Sequence, residues 1–182
     1  MRILTLAFVF LASGAIAQDL GTTSFANSGS PEAQEPFLRG VLQLHSFEYD
    51  DARDAFKEAQ AIDPGFAMAY WGEAMTHNHP IWMRQNREAA LDALARLDAN
   101  VTEMTPRERD YLRALSFLFD TGEGEMYDKE TRDDRYAVAM RALAESYPTD
   151  DDARAFYALS LLGTAHEGRD FTIYMKAAAV AE

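Results

Sequence analysis

Apolar residues from position 33 onward recur at intervals of three and four, and the alternation typical of strands is absent. This period is that of amphipathic helices, which bury one face and expose the other. The sequence therefore predicts an all-α fold. Turn signals divide the chain into four helix pairs, at residues 33–46 with 49–61, 66–77 with 86–99, 106–119 with 131–146, and 150–164 with 170–182.

Prolines mark several of the predicted helix boundaries. Pro64, within the sequence DPG, ends one helix because proline lacks an amide hydrogen and disfavours helix in the residue before it. Thr105 followed by Pro106 indicates an N-cap and the first position of a new helix. Pro148 ends a later helix, and Thr149 or Asp150 is expected to cap the next one.

The first helix pair carries small residues and one aromatic residue at a specific spacing, namely Gly40, Ala52, Phe56, Ala59 and Pro64. Glycine and alanine on facing helices permit a close approach of the two backbones, and Phe56 and Ala59 lie three apart on one face. This pattern resembles the tetratricopeptide repeat, a helix pair of roughly 34 residues that buries its apolar face by stacking on its neighbours.

The resemblance implies a right-handed solenoid of about four antiparallel helix pairs, with insertions at residues 78–85, 100–104 and 120–130 that disturb the period. It also implies a scaffold that binds a peptide or protein on the concave face, which the first helix of each pair lines. Six residues on those helices are candidates for partner contact: Arg39, Gln43, Tyr70, Glu73, His77 and Arg113. We find no catalytic motif and predict that the chain is not an enzyme.

Two stretches resemble a narrower group, the exported bacterial tetratricopeptide proteins of unassigned activity. They are LHSFEY at residues 44–49 and YWGEAMTHNHP at residues 70–80. Members of that group are longer, so the resemblance implies that this chain is the N-terminal part of a longer protein. The last helix, which lacks a glycine stop and a polar capping helix, leads to the same expectation of a helical domain at 33–182 truncated at its C-terminal end.

The N-terminal residues predict export. A basic start at Arg2 precedes an apolar run at residues 3–12 and the small residues of Ala15-Ile16-Ala17, which is the pattern of a signal peptide cleaved after Ala17. The apolar run is far shorter than the roughly 20 residues that span a bilayer, which argues against the alternative of a membrane anchor. We therefore expect a periplasmic or secreted protein in which residues 18–32 form a flexible polar leader.

The charge balance narrows the choice of partners. The chain has 30 acidic and 17 basic residues, a net charge of −13, and no cysteine. An excess of negative charge disfavours binding to nucleic acid or to anionic lipid. The absence of cysteine excludes disulfides and thiolate metal sites. We expect a protein or peptide partner, and no membrane span after removal of the signal peptide.

Histidine, methionine and tryptophan are concentrated at residues 67–83, which hold two of the four histidines, three of the eight methionines and both tryptophans. One interpretation is a copper or similar metal site formed by His45, His77 and His79, with Met75 or Met83, because imidazole and thioether suit copper. The other is that these side chains fill the core and the turn before Pro80 and that no cofactor binds. The sequence favours the second interpretation and leaves the first open.

Overall fold

A computed structural model of the chain describes residues 20–97, 104–122 and 126–182. The predicted signal peptide and its cleavage site lie outside these ranges. The described residues form eight α-helices: α1 Gln34–His45, α2 Tyr49–Ile62, α3 Ala67–Met75, α4 Arg87–Ala95, α5 Pro106–Phe119, α6 Lys129–Ser146, α7 Asp151–Gly163 and α8 Phe171–Ala181. The prediction of a mostly helical chain is confirmed.

One small sheet interrupts the helices. Strands β1 Asn78–His79 and β2 Arg84–Gln85 pair antiparallel, with Asn78 opposite Gln85 and His79 opposite Arg84. The sequence predicts an insertion here but no strand, because strands of two residues are too short to show alternation. The insertion is therefore a β-hairpin between α3 and α4, closed by a short 3₁₀ turn at Pro80–Trp82.

Side-chain caps begin several helices where the sequence placed them. Thr105 and Glu108 form a capping box, in which the Glu108 amide donates to the Thr105 hydroxyl and the Thr105 amide donates to the Glu108 carboxylate at 2.7 Å. Asp150 caps α7 by accepting from the Ala153 amide. Asp128 caps α6 in the same way, so that helix begins two residues before the predicted start.

Helix α3 lies at the centre of the N-terminal half. It contacts α1, α2, α4 and α5, and each of its nine residues is buried. Elsewhere consecutive helices pack on each other, α1 on α2, α5 on α6, α6 on α7 and α7 on α8. Helices α1 to α7 all contribute to a continuous apolar core, with α3 as its most enclosed element, and α8 packs on α7.

The ring of Phe56 determines how closely α1, α2 and α3 approach. This fully buried ring of α2 lies against two glycines, Gly40 of α1 and Gly72 of α3. A Cβ atom at Gly40 would lie 2.8 Å from the ring, and one at Gly72 would lie closer still. Real Cβ atoms do not approach other atoms so closely, so both positions require glycine for this packing.

Residues 20–30 have no regular secondary structure but are held against the helices. Phe25 is 4% exposed and packs edge-on against Phe37, with the Tyr111 ring 5.4 Å away. Ser28 donates from its amide and its hydroxyl to the Glu108 carboxylate at 2.8 and 2.9 Å. The segment interpreted from its composition as a polar leader therefore contributes one aromatic side chain to the core.

Among the described residues, no helix combines the length and the apolar character needed to cross a membrane.

The contacts of the Phe56 ring with Gly40 and Gly72 predict that a methyl group added at either glycine lowers the stability of the fold. We expect Gly72→Ala to lower the free energy of unfolding by about 1–3 kcal/mol, since the new Cβ overlaps a ring that the core encloses. Urea denaturation measures this change. Gly122→Ala, whose Cβ would meet no atom of the described residues within 4 Å, is the matched control and should change stability little. Equal stability of the Gly72→Ala variant and the wild-type chain would contradict the packing described.

Candidate functional site

The β-hairpin continues the buried helix α3 and is fixed at its base. The Asn86 amide donates to the His77 carbonyl at 2.9 Å, and the Gln85 side chain donates to the buried Asn78 side chain at 3.1 Å. Pro80 is also buried and lies against Gly163 of α7. These contacts hold the hairpin from below and leave its tip outside the core.

The tip of the hairpin presents large apolar side chains to solvent. Ile81 is 46% exposed, Trp82 53% and Met83 36%, and Phe47 of the α1–α2 loop is 38% exposed beside them. The Phe47 and Trp82 rings meet edge to face, with centroids 5.7 Å apart. We call Phe47, Ile81, Trp82 and Met83 the hairpin face. Most tryptophan side chains are largely buried. An exposed tryptophan beside three other exposed apolar residues is typical of a surface that contacts another molecule.

Tyr49 and His79 support the hairpin face from within. Their rings stack with centroids 3.9 Å apart and an angle of 16° between the planes, and Trp82 lies edge-on to both. The Tyr49 hydroxyl is buried and has no hydrogen-bond partner among the described residues, and burial raises its pKa to about 12. The aromatic stack therefore joins the α1–α2 loop to the hairpin.

The backbone is strained at two residues of the hairpin face. Phe47 has φ 61° and Met83 has φ 53°, both in the left-handed region. That region costs an L-residue about 1–2 kcal/mol, and glycine commonly occupies it at helix ends. Two bulky apolar side chains stand here instead, and such strain is concentrated at functional sites.

A hollow of about 410 Å³ adjoins the hairpin face on its other side. Ile81 and Met83 line it together with Leu162, Ala165, Gly168, Arg169 and Tyr174 from α7, α8 and the loop between them. The exposed apolar surface therefore extends from the α1–α2 loop across the hairpin to α8.

The structure disperses the residues expected to contact a partner. Arg39 is paired with Glu35 and Glu58 on the surface of α1 and α2. Gln43 is half-buried on α1, and Arg113 is exposed on α5. His77 lies at the base of the hairpin, close to the hairpin face but not part of it.

Tyr70 and Glu73, expected on the surface, are instead buried in the core. The Tyr70 hydroxyl donates to the Pro64 carbonyl at 3.1 Å. The Glu73 carboxylate accepts from Gln60 at 2.7 Å and forms ion pairs with Lys57 and Arg96. Because α3 is enclosed by four other helices, it has no concave face to present.

The three histidines proposed as metal ligands have separate surroundings. The His45 Nε2 atom lies 2.9 Å from Asp152 of α7, and its ring stacks on Phe156. The His79 Nε2 atom lies 3.0 Å from the Thr76 carbonyl oxygen. In residues 20–97, 104–122 and 126–182, no group of three or more histidine, aspartate and glutamate side chains could hold a metal ion.

Comparison of the chain with protein-family models, with curated proteins and with solved structures finds no significant match.

The hairpin face was not identified from the sequence. Trp82 and Met83 fell in the stretch singled out for its composition, where an aromatic residue is expected to fill the core. Phe47 lay inside the LHSFEY motif and received no role. The signal that could have identified the face is the run Ile81-Trp82-Met83 directly after a proline, where the chain turns and cannot bury three successive apolar side chains.

His77 predicts a pH dependence of stability. Burial lowers its pKa from 6.5, and Arg53 and Lys57 lower it further, whereas Glu73 opposes this shift. The unfolded chain therefore binds a proton at a higher pH than the folded protein does. The contribution of neutral His77 is complete above pH 6.5 and is lost as the pH falls through 6.5 toward the lower pKa of the folded state.

We expect His77→Gln to lose less stability than the wild-type chain when the pH is lowered from 7.5 to about 5.5, because glutamine does not titrate. Urea denaturation midpoints of both proteins, measured at pH 7.5 and at about pH 5.5, test this prediction. The difference between the two midpoints at pH 7.5 serves as the reference. Parallel curves for the two proteins across the whole range would contradict the lowered pKa.

Proposed function

We propose that the chain is an exported helical-repeat scaffold that binds a partner protein through the hairpin face, by taking up a cationic peptide segment with apolar anchor residues. The proposal involves binding and no chemical step. The observation that carries it is the exposure of four adjacent large apolar side chains, at residues 47 and 81–83, on a rigidly supported hairpin.

The composition of the hairpin face supports a binding role. Tryptophan is enriched among the residues that dominate binding energy, and apolar anchors in adjacent pockets are typical of peptide recognition. Trp82 is the most exposed of the four residues, and the hollow beside Ile81 and Met83 offers a place for a partner side chain. The stack of Tyr49 on His79 holds this surface in place before binding, which reduces the entropy lost on association.

The charge of the chain supports a cationic partner. Glu48 and Asp51 stand at the start of α2, one and four residues after Phe47, and neither forms an ion pair among the described residues, whereas Asp50 pairs with Arg53. The net charge of −13 attracts basic segments over longer distances and raises their rate of association.

Two sequence features support the helical-repeat architecture and the export of the chain. The spacing from Gly40 to Pro64 supports a tetratricopeptide-like repeat, in which stacked helix pairs provide a stable frame for a binding surface. The signal-peptide pattern at residues 1–17 supports function in the periplasm or outside the cell.

A selection from a displayed random-peptide library tests the proposal. We expect enriched peptides to combine aromatic or aliphatic residues with lysine or arginine, and to bind Trp82→Ala at least about tenfold more weakly, as truncation of an interfacial tryptophan commonly does. Tryptophan fluorescence provides a direct signal, since Trp82 is half exposed and Trp71 is only 1% exposed. Binding should therefore shift the emission of Trp82 to shorter wavelength.

Ile62→Ala is the matched control, because Ile62 is also a large apolar residue, 45% exposed, on α2 and away from the hairpin face. This variant should bind the selected peptides as the wild-type chain does. Thermal unfolding of both variants checks that each is folded. Peptides that bind Trp82→Ala and the wild-type chain equally well would refute the proposal, and so would a selection that enriches no peptide.

A further inference from the structure

A second apolar surface lies between α5 and α6, away from the hairpin face. It is a groove of about 520 Å³, within the size range of sites for small ligands. Its walls are formed chiefly by Ala114, Phe117, Val138, Ala139 and Ala142. Val138 is 60% exposed, so the groove presents apolar surface to solvent.

Two arginines and two aspartates line the groove, and each aspartate carboxylate has a side-chain partner. The Asp110 carboxylate accepts from the Tyr147 hydroxyl at 2.8 Å, and Asp134 lies 3.1 Å from the Nε2 atom of His166. Neither Arg113 nor Arg135 forms an ion pair with a carboxylate in the part of the chain that the structure describes. The formal charges of the two arginines and the two aspartates cancel, but the guanidinium groups have no carboxylate partner among the described residues and can pair with an anionic ligand.

Aromatic rings hold the Arg135 guanidinium at the groove. Its Cζ atom lies 4.9 Å from the centre of the Phe117 ring and 4.3 Å from that of the Tyr127 ring. Such contacts occupy the faces of the planar guanidinium and leave the N–H donors at its edge available. An arginine held in this way is suited to bind a carboxylate.

The groove offers few hydrogen-bonding groups other than these charges. The Ser146 hydroxyl donates to the Ala142 carbonyl, and the groove walls are otherwise largely apolar. A peptide backbone enclosed here would lose hydrogen bonds to water without replacing them, which is costly. An unbranched alkyl chain has no such groups, and a single terminal charge would suffice to orient it.

We infer that this groove binds a free straight-chain carboxylic acid of medium length. The alkyl chain would lie along Phe117, Val138 and Ala142, and the carboxylate would accept hydrogen bonds from Arg113 and Arg135. This site is independent of the hairpin face, so each proposal can fail without the other.

Calorimetric titration with decanoate, kept below its micelle-forming concentration, tests the inference. Decyltrimethylammonium is the matched probe, with the same alkyl chain and the opposite charge. A non-specific surface on so acidic a chain would favour the cation. We expect decanoate to bind with a stoichiometry of one and at least tenfold more tightly than decyltrimethylammonium.

Substitutions of the two arginines test whether their charge, and not only the apolar walls of the groove, contributes to the binding of decanoate. The double variant Arg113→Gln, Arg135→Gln should bind decanoate at least tenfold more weakly, whereas Arg141→Gln, on α6 but outside the groove, should bind it as the wild-type chain does. Circular dichroism and thermal unfolding confirm that each variant is folded. Tighter or equal binding of the cation, or undiminished binding of decanoate to the double variant, would overturn the inference.

Discussion

The contact of the Phe56 ring with Gly40 and Gly72 is the constraint on which the arrangement of the first three helices depends. The ring fills the space that two missing side chains leave, so α1 and α3 both approach α2 closely. Close approach in turn encloses α3 on every side and buries all nine of its residues. The direction in which the chain leaves α3, and hence the position of the β-hairpin, follows from this packing.

The hairpin face is a consequence of that enclosed helix. Thr76 and Asn78 are buried at the end of α3, and Pro80 is fixed against α7, so the next three residues must turn outward. The left-handed backbone at Phe47 and Met83 carries a conformational cost, and the partly buried stack of Tyr49 on His79 packs beside Phe47. A stable interior thus supports an exposed apolar surface, which is the arrangement that a binding site on a rigid scaffold requires.

The helices could be predicted from the sequence because their signals are local. Apolar period, prolines and capping residues act within a few positions, and the observed bounds follow them closely, as at Thr105. Contacts between distant segments carry no such signal, and the pairing of His45 with Asp152 spans 107 positions. The burial of Glu73 was missed because a carboxylate is normally assigned to the surface, although the nearly continuous apolar sequence of α3 indicated a helix enclosed on all sides.

Nuclear magnetic resonance of methyl-labelled protein titrated with a selected cationic peptide tests directly whether the hairpin face is the partner-binding surface. If the peptide binds at the hairpin face, we expect the largest shift changes at the Ile81 and Met83 methyl groups and at the Trp82 indole N–H, and little change at the buried Met68. Changes concentrated instead at Val138, in the groove between α5 and α6, with the hairpin signals unmoved, would contradict binding at the hairpin face.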